Sequence, residues 1–402
     1  MRSRVVITGI GPVAPIGVGV DSFATALRAG ASNLGRVRRV DGSGMPHNTV
    51  SEFGDIDPAD YVEVIDPDEW GPASVAAAAA ARLAIDDAGL DRSELRRGRA
   101  GSAIGTTCGE SGLIEIACQR EVDAGRDAVG ADLVRKVPTY RLGVAVNREL
   151  GLNGETVTLA SACAASNFAL GYAYDAVSCG DATYMIAGGV DLVTLYTMAG
   201  FYRIGTLAKD VCSPFDMNRQ GIILGEGACA VVVESLDSAR TRGADIYAEV
   251  LGYGVNCDAN SPIAPDPSGI AECIRRAHHH AGVKPGDVDY VCAHGTGTPA
   301  NDVAETTALR SVFGATVPPV SSIKSMLGHT LGAASGFGVI AACLAVRDGF
   351  IPPTINLDTV DPEFADLDLV ANSARDADVR IVQNNGFAFG GNNAITILGR
   401  YE

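Results

Sequence analysis

The chain has 402 residues, 47% of them hydrophobic and only 20% charged, so it can bury a large core. Its net charge of −17 argues against non-specific binding to nucleic acid or to an anionic membrane surface. Ten cysteines without CxxC pairs or zinc-ligand spacing predict free thiols in a reducing compartment and no metal site. We find no signal peptide and no apolar stretch long enough to span a bilayer, so we expect a soluble, cytoplasmic protein.

The first part of the chain alternates strands with helices. We predict strands over 4–10, 100–107, 156–159, 181–190 and 228–234, and helices over 20–29, 72–88, 164–177 and 235–243. Helical patches over 110–150 are broken by Pro138, and residues 31–71 and 193–226 are predicted to be irregular. Prolines follow Gly9 and Gly11 where a dinucleotide fingerprint needs a helix start, so no such site is expected.

The same order of elements starts again near residue 244. Strands are predicted over 246–253, 288–293, 317–322, 379–384 and 394–398, and helices over 267–282 and 332–348. This faint duplication predicts an α/β fold with two similar halves, 1–238 and 239–402, packed into a single domain. His278, His279 and His280 end the helix over 267–282, where positive charge is favoured, and are interpreted as a solvated helix end.

Cys163 lies where a predicted strand becomes a predicted helix. The strand over 156–159 ends in small residues, and the run after Cys163 is rich in alanine. Unpaired N–H groups and the positive dipole end at a helix start favour the thiolate, which is the nucleophilic form of cysteine. A buried structural cysteine is the simpler interpretation of this residue taken alone.

Two histidines follow predicted strands of the second half in glycine-flanked runs. His294 lies in CAHGTGTP and His329 in KSMLGHT. Active-site groups of α/β proteins usually stand at such strand ends. A cysteine protease needs only one base, whereas two neutral imidazoles can donate to one oxygen and stabilise an enolate. One cysteine with two histidines therefore suggests carbon–carbon bond formation through an acyl thioester.

A glycine-rich run over 384–393 surrounds Phe389. Glycines let backbone N–H groups approach a ligand closely, so an N–H here could bind a thioester oxygen together with the N–H of Cys163. A glycine-rich hairpin between two strands is the competing interpretation.

Taken together, these motifs resemble the elongating β-ketoacyl-ACP synthases of the thiolase superfamily, of the type II fatty-acid and polyketide kind. The resemblance runs essentially end to end. It is carried by SACAAS, PFDMNRQGIILGEGA, HGTGTPANDVAE, KSMLGHTLGAA, PPTINLD and GFAFGGNNA. It implies a thiolase-like fold, in which two pseudo-duplicated halves form α/β/α/β/α layers. It also implies no cofactor, because the substrates are carried on the phosphopantetheine of acyl carrier protein.

The resemblance implies a role for each matching residue. Cys163 would accept the acyl chain, and the N–H groups of Cys163 and Phe389 would bind its thioester oxygen. His294 and His329 would bind and decarboxylate the malonyl thioester, while Phe389 would also gate the site. Further roles fall to a supporting group of Lys324, Asp302 and Glu305, an acyl pocket of Cys108, Glu110, Phe201 and Phe387, and a carrier-protein docking pair, Arg135 and Lys136.

Some positions depart from the family pattern. Gly338 stands where many relatives carry a glutamate paired with the lysine, Ala164 where serine or threonine is common, and Asn392 where threonine is usual. Cys108 falls where many relatives have a larger apolar residue, and Glu110 adds polarity. We therefore hypothesise an acyl pocket that is wider or more polar than one for plain saturated chains.

Three functions remain after this comparison. The first is decarboxylating condensation of a Cys163-bound acyl chain with malonyl-ACP, in a fatty-acid or, preferably, a polyketide pathway. The second is acyl transfer or a condensation without malonyl elongation. The third, a non-catalytic partner subunit, is disfavoured because Cys163, His294 and His329 are all present. We expect a dimer formed through the strand before Cys163, with an identical chain or with a chain-length-factor-like homologue.

Overall fold

Eleven strands form one continuous mixed sheet in the computed structural model, which describes residues 3–402. Two smaller sheets hold β3, β4 and β8, and β13 and β14. The strands of all three sheets are β1 Val5–Ala14, β2 Gly17–Val18, β3 Gly35–Arg36, β4 Thr49–Ser51, β5 Ala100–Gly105, β6 Thr156–Leu159, β7 Tyr184–Asp191, β8 Leu224–Gly225, β9 Gly227–Ser235, β10 Ala248–Cys257, β11 Tyr290–Cys292, β12 Val320–Ser321, β13 Phe350–Ile351, β14 Arg375–Asp376, β15 Ile381–Phe387 and β16 Asn392–Gly399. The α-helices are α1 Val20–Ala29, α2 Pro72–Asp87, α3 Arg92–Arg97, α4 Ser111–Ala124, α5 Ala131–Lys136, α6 Arg141–Leu150, α7 Ala165–Ser178, α8 Leu195–Ile204, α9 Leu236–Arg242, α10 Pro267–Ala281, α11 Pro299–Phe313, α12 Lys324–Leu327 and α13 Ala334–Asp348.

The large sheet contains the same strand order twice. In the first part the order from the edge is β6-β5-β7-β9-β1, and in the second it is β12-β11-β15-β16-β10. In both parts the first three strands of this order are parallel to one another. The fourth strand pairs antiparallel with the third, and the fifth pairs antiparallel with the fourth. An antiparallel pairing of β1 with β10 joins the two parts. The repeated order of elements that the sequence suggested therefore corresponds to a repeated topology.

Two helices lie between the two parts of the sheet. α7 packs against β5 and β7 of the first part and against β10 and β16 of the second, while α13 packs against β9, β15 and β16. α2 packs on β1 and β9, and α10 packs on β10 and β16. Helices thus alternate with sheet in layers, as the α/β prediction requires. The segment Leu331–Asp348 is long and apolar enough to span a membrane, contrary to our expectation, but 89% of it is buried inside the protein.

The glycines near the N-terminus serve helix packing. A Cβ at Gly9 would lie 2.2 Å from the carbonyl oxygen of Ala84, and one at Gly11 would lie 2.0 Å from that of Ala80. Both carbonyls belong to α2, so only glycine lets this alanine-rich helix lie so close to β1. This close packing explains why glycine occupies positions 9 and 11, where it would otherwise suggest a phosphate-binding loop.

The segment over 193–226 is less irregular than predicted, because it contains α8. Thr194 caps this helix by accepting from the N–H of Thr197, and Gly205 ends it in the left-handed conformation at φ 76°. The predicted strand over 317–322 shrinks to β12, since Pro318 and Pro319 have no N–H to donate to a neighbouring strand.

Candidate active site

Cys163 occupies the predicted turn between a strand and a helix. β6 ends at Leu159, a single turn of 3₁₀-helix covers Ala162–Ala164, and α7 begins at Ala165. Ala162 has a φ of 49°, which a residue with a side chain rarely adopts, so the chain turns sharply just before Cys163. The Cys163 side chain is buried, with 5% of its surface exposed at the base of an open cleft.

The electrostatic expectation for Cys163 is only partly confirmed. Burial raises the pKa of its thiol to about 12, and the Asp191 carboxylate adds to this rise. The Lys324 charge and the N–H groups of Cys163 and Phe389 act in the opposite direction. The helix start therefore supplies one N–H to the sulfur and the Phe389 segment supplies another, but desolvation outweighs both. The thiol is the resting form of Cys163 at neutral pH.

The two histidines lie side by side in the same cleft as Cys163. The ring centroids of His294 and His329 are 5.5 Å apart, and their planes meet at 82°. Both rings are buried, and Phe387 packs against His294 with centroids 5.5 Å apart. His294 lies two residues after the end of β11, as predicted for a strand end, whereas His329 follows the short helix α12.

Both imidazoles are neutral at pH 7. Burial lowers the pKa of His294 and of His329 well below the ordinary value, and the Lys324 charge lowers both further. The N–H of Leu331 donates to Nδ1 of His329 across 3.1 Å, so the remaining proton of this neutral ring is on Nε2. His329 therefore has the tautomer needed to donate a hydrogen bond from Nε2 to a ligand oxygen.

Lys324 is buried beside these three groups. Burial lowers the pKa of its ammonium, and the nearby Cys292, Glu305 and Cys163 act in the opposite direction. Its side chain is only 4% exposed, so solvent screens its charge weakly. A charge at this position acts on both imidazoles and on the thiol.

Glu305 braces the backbone that carries His294. Its carboxylate accepts from the N–H groups of His294 and Gly295, each across 2.8 Å. It also accepts from the side-chain amides of Asn385 and Asn301. Four donors therefore compensate a fully buried charge.

Asp302 braces a neighbouring loop. It accepts from the N–H of Phe215 across 3.0 Å and from that of Gly297 across 3.2 Å. Burial raises its pKa to about 6, while the Phe215 hydrogen bond and Arg219, at 3.7 Å, lower it. Asp302 thus joins the chain after His294 to the segment around Phe215.

Phe389 stands at the mouth of the cleft. Its ring stacks on Phe201 with centroids 5.6 Å apart and planes at 26°. The next residue, Gly390, has a φ of 84°, so the chain turns sharply behind the ring. Because the N–H of Phe389 lies close enough to Cys163 to lower the pKa of its thiol, Cys163 and Phe389 direct N–H groups to one place. The cleft is lined by Phe201, Phe387 and Phe389 as well as by Cys163 and both histidines.

Glu110 is not among the residues that line this cleft, and its carboxylate serves the start of α2. Its buried carboxylate accepts from the N–H and the hydroxyl of Ser74, each at 2.7 Å, and from the N–H of Ala73 at 3.3 Å. It therefore caps the start of α2. Cys108 is half-buried and also lies outside the cleft lining. Burial raises the pKa of its thiol to about 12, and Asp191 and Cys163 add to this rise.

Asp191 is a buried residue that the sequence analysis missed. Its carboxylate accepts from the N–H groups of Thr107, Cys108 and Gly332 at 2.6, 2.9 and 2.7 Å. It thereby ties the end of β5 to the turn before α13. The available signal was a lone acid directly after the apolar run of β7.

Asn384 explains why position 338 is glycine. A Cβ on Gly338 would lie 2.1 Å from Oδ1 of Asn384. The Asn384 amide donates to Oδ1 of Asn167 and to the carbonyl of Ser335, each at 2.9 Å. The Asn384 side chain of β15 thus fills the space beside α13, and its neutral amide donates to Asn167 in α7, the helix that follows Cys163.

Two family models match most of the chain. One is described as "Beta-ketoacyl synthase, N-terminal domain" and covers residues 2–239, and the other as "Beta-ketoacyl synthase, C-terminal domain" and covers residues 247–358. The chain belongs to the β-ketoacyl synthase family. The resemblance that the motifs suggested is therefore confirmed, and so is the thiolase-like fold.

Individual β-ketoacyl synthases match over their full length. The 3-oxoacyl-[acyl-carrier-protein] synthase 2 of Coxiella burnetii (strain RSA 493 / Nine Mile phase I) is 37% identical over 99% of both chains. The solved ishigamide ketosynthase/chain length factor is 46% identical, with a TM-score of 0.97 over 100% of both chains. A type II PKS ketosynthase, solved with its acyl-carrier protein and bound to the hexaketide, is 28% identical with a TM-score of 0.91, again over 100% of both chains.

The predicted docking residues lie at the end of α5, outside the cleft. Arg135 is exposed and Lys136 is half-buried, both in the last turn of that helix. Of the remaining departures, Ala164 is completely buried beside Cys163, and the carbonyl of Asn392 accepts from the N–H of Ala388 across 2.9 Å.

Replacing Gly338 is expected to destabilise the protein. Gly338→Ala should lower the free energy of unfolding by about 1–3 kcal/mol, because its Cβ overlaps the Asn384 amide. Gly338→Ala added to Asn384→Ala should cost less than Gly338→Ala alone. Urea unfolding measures both effects. The control is Gly200→Ala, also in a helix, where a Cβ meets nothing within 4 Å; a neutral Gly338→Ala would contradict this packing.

The pH dependence of catalysis by the histidines follows from their lowered pKa values. Because burial keeps His294 and His329 neutral below pH 6.5, their hydrogen-bond donation should persist as the pH falls. Malonyl-ACP decarboxylation by a Cys163→Ala variant is therefore expected to change less than twofold between pH 7.5 and pH 6. A loss of activity with a midpoint near pH 6.5 would show that the imidazoles titrate normally.

Proposed function

We propose that this β-ketoacyl synthase condenses an acyl chain on Cys163 with malonyl-ACP and releases β-ketoacyl-ACP. The supporting observation is that Cys163 and two neutral imidazoles, all three buried, line one cleft. The names of its relatives, a 3-oxoacyl-[acyl-carrier-protein] synthase 2 and a type II PKS ketosynthase, agree with this chemistry.

In the acyl-transfer step, the Cys163 sulfur attacks the thioester carbonyl of acyl-ACP. The N–H groups of Cys163 and Phe389 stabilise the oxyanion that forms. The carbon–sulfur bond to the carrier breaks, and the proton from the Cys163 thiol goes to the departing phosphopantetheine thiolate. The Lys324 charge favours the transient thiolate.

In the second step, the bond between the malonyl carboxylate and the α-carbon breaks and CO₂ leaves. The electron pair forms an enolate, whose oxygen accepts hydrogen bonds from His294 and His329. The α-carbon then attacks the acyl-Cys163 carbonyl. Cys163 leaves as a thiolate and takes up a proton, so the enzyme returns to its starting state.

The carrier and the assembly complete the proposal. Acyl carrier protein brings both substrates on its phosphopantetheine, with no further cofactor, and docks at Arg135 and Lys136. The enzyme is cytoplasmic and pairs through β6, with a second copy or a chain-length-factor-like homologue. A polyketide pathway is favoured because the chain is 46% identical to a ketosynthase/chain length factor, and chain-length factors pair with type II polyketide ketosynthases. We place the boundary between the two halves at residues 238 and 239.

Separating the two half-reactions tests these roles. Cys163→Ala should abolish self-acylation and condensation but keep malonyl-ACP decarboxylation, because the histidines and Lys324 remain. His329→Ala should keep acylation and lower decarboxylation at least about a hundredfold, the loss typical of one oxyanion donor. Mass spectrometry of the intact protein with acyl-ACP and then malonyl-ACP reports both steps. Acylation without malonyl consumption in the wild type would instead indicate an acyltransferase.

A charge reversal tests the docking site. Carrier proteins are acidic and this chain has a net charge of −17, so docking needs a local positive surface. Arg135→Glu should raise KM for acyl-ACP several-fold at low salt with kcat unchanged. The matched control is Arg97→Glu, an exposed arginine that likewise lies in the last turn of a short helix, α3. Equal effects of the two variants would exclude a specific role for Arg135.

A further inference from the structure

His278 is buried, contrary to the prediction of a solvated helix end. It lies in the last turn of α10, where its side chain is only 4% exposed, whereas the adjacent His279 is exposed. The His278 ring packs edge-on against Phe313, with centroids 5.6 Å apart. A buried polar ring needs a hydrogen-bond partner, and His278 has one on β15.

A chain of hydrogen bonds leads from His278 to the active site. Nε2 of His278 lies 2.8 Å from Oε1 of Gln383, and the Gln383 amide donates to Oδ1 of Asn385 across 2.8 Å. The Asn385 amide donates to Oε1 of Glu305 across 2.9 Å. All three side chains before the carboxylate are buried, and so is Glu305 itself.

The carboxylate at its end fixes the direction of every bond in this chain. A carboxylate only accepts, so Asn385 must donate its NH₂ to Glu305 and accept at its carbonyl. Gln383 must then donate to Asn385, which leaves its own carbonyl for His278. His278 therefore has to donate from Nε2. Aligned donors of this kind strengthen one another in a buried setting.

Glu305 transmits this chain to His294. The oxygen that accepts from Asn385 also accepts from the N–H of His294, and the second oxygen accepts from the N–H of Gly295. The carboxylate orientation therefore sets the position of the backbone that carries the imidazole. None of these hydrogen bonds involves Cys163, which lies on the turn between β6 and α7.

We propose that His278 and Gln383 are positioning residues that act through Asn385 and Glu305 to hold His294 in place for the malonyl half-reaction. The expected effect on decarboxylation rests on the proposed function, whereas the expected effect on the backbone of His294 does not. Losing the His278 donor should loosen the His294–Gly295 backbone and slow decarboxylation, while acylation of Cys163 continues.

Variants of similar size separate the hydrogen bond from packing. His278→Met removes the donor, whereas His278→Gln keeps an N–H at a similar reach. His278→Met is expected to lower malonyl-ACP decarboxylation about tenfold, the loss of roughly one hydrogen bond, with acylation changed less than twofold. Amide hydrogen exchange of the peptide containing His294 and Gly295 should accelerate several-fold. His278→Gln should restore both, and the control His279→Met should alter neither.

Gln383→Met provides the same test if His278→Met does not fold, because it interrupts the chain one residue further on. Unchanged hydrogen exchange and decarboxylation in a folded variant would overturn the proposal. An equal loss of acylation and decarboxylation would also overturn it, since that is the result of general damage. In a further outcome, the wild type fails to decarboxylate malonyl-ACP while hydrogen exchange at His294 and Gly295 still accelerates in the variants. That result would contradict the proposed function but support the positioning role of His278 and Gln383.

Discussion

The chemistry of this site depends on one positive charge buried where water cannot screen it. Burial lowers the pKa of His294 and His329, and the Lys324 charge lowers both further, so both imidazoles stay neutral donors. The same charge opposes the rise in the pKa of Cys163 that burial causes. One ammonium thus serves both half-reactions, because one needs uncharged donors and the other a transient anion. Glu305 lies close enough to keep the pKa of Lys324 from falling further.

The duplicated topology explains how the groups come together. The turn before α7 and the turn before α13 are equivalent, and their residues Ala162 and Leu331 have φ values of 49° and 51°. The first turn carries Cys163, whereas the second supplies the Leu331 N–H that sets the His329 tautomer. The hydroxyl of Ser166, in α7, donates to the Gly332 carbonyl across 2.6 Å, so the two turns brace each other. One half thus provides the nucleophile and the other the donors.

The sequence predicted those features of the fold and the site that depend on the local pattern of residues. Periodicity located most strands and helices, and the strand–turn–helix context and glycine flanks singled out Cys163, His294 and His329. The sequence did not predict the role of a residue whose hydrogen-bond partner is distant along the chain. Glu110 looks like a pocket residue until α2 places Ser74 beside it, and His278 looks like a solvated helix end until β15 brings Gln383 to it. Such pairings follow from tertiary packing, which no local pattern encodes.

Strand β15 connects the Cys163 side of the active site to the histidine side through three consecutive polar residues. Side chains alternate between the faces of a strand, so Gln383 and Asn385 share one face and Asn384 points to the other. The first face leads to Glu305 and the backbone of His294, and the second bonds to Asn167 in the helix that follows Cys163. A shift of β15 by one residue would exchange the two faces and leave buried amides unpaired. The register of this one strand therefore fixes the nucleophile and the imidazoles relative to each other, which explains why so much polarity is tolerated at the centre of the protein.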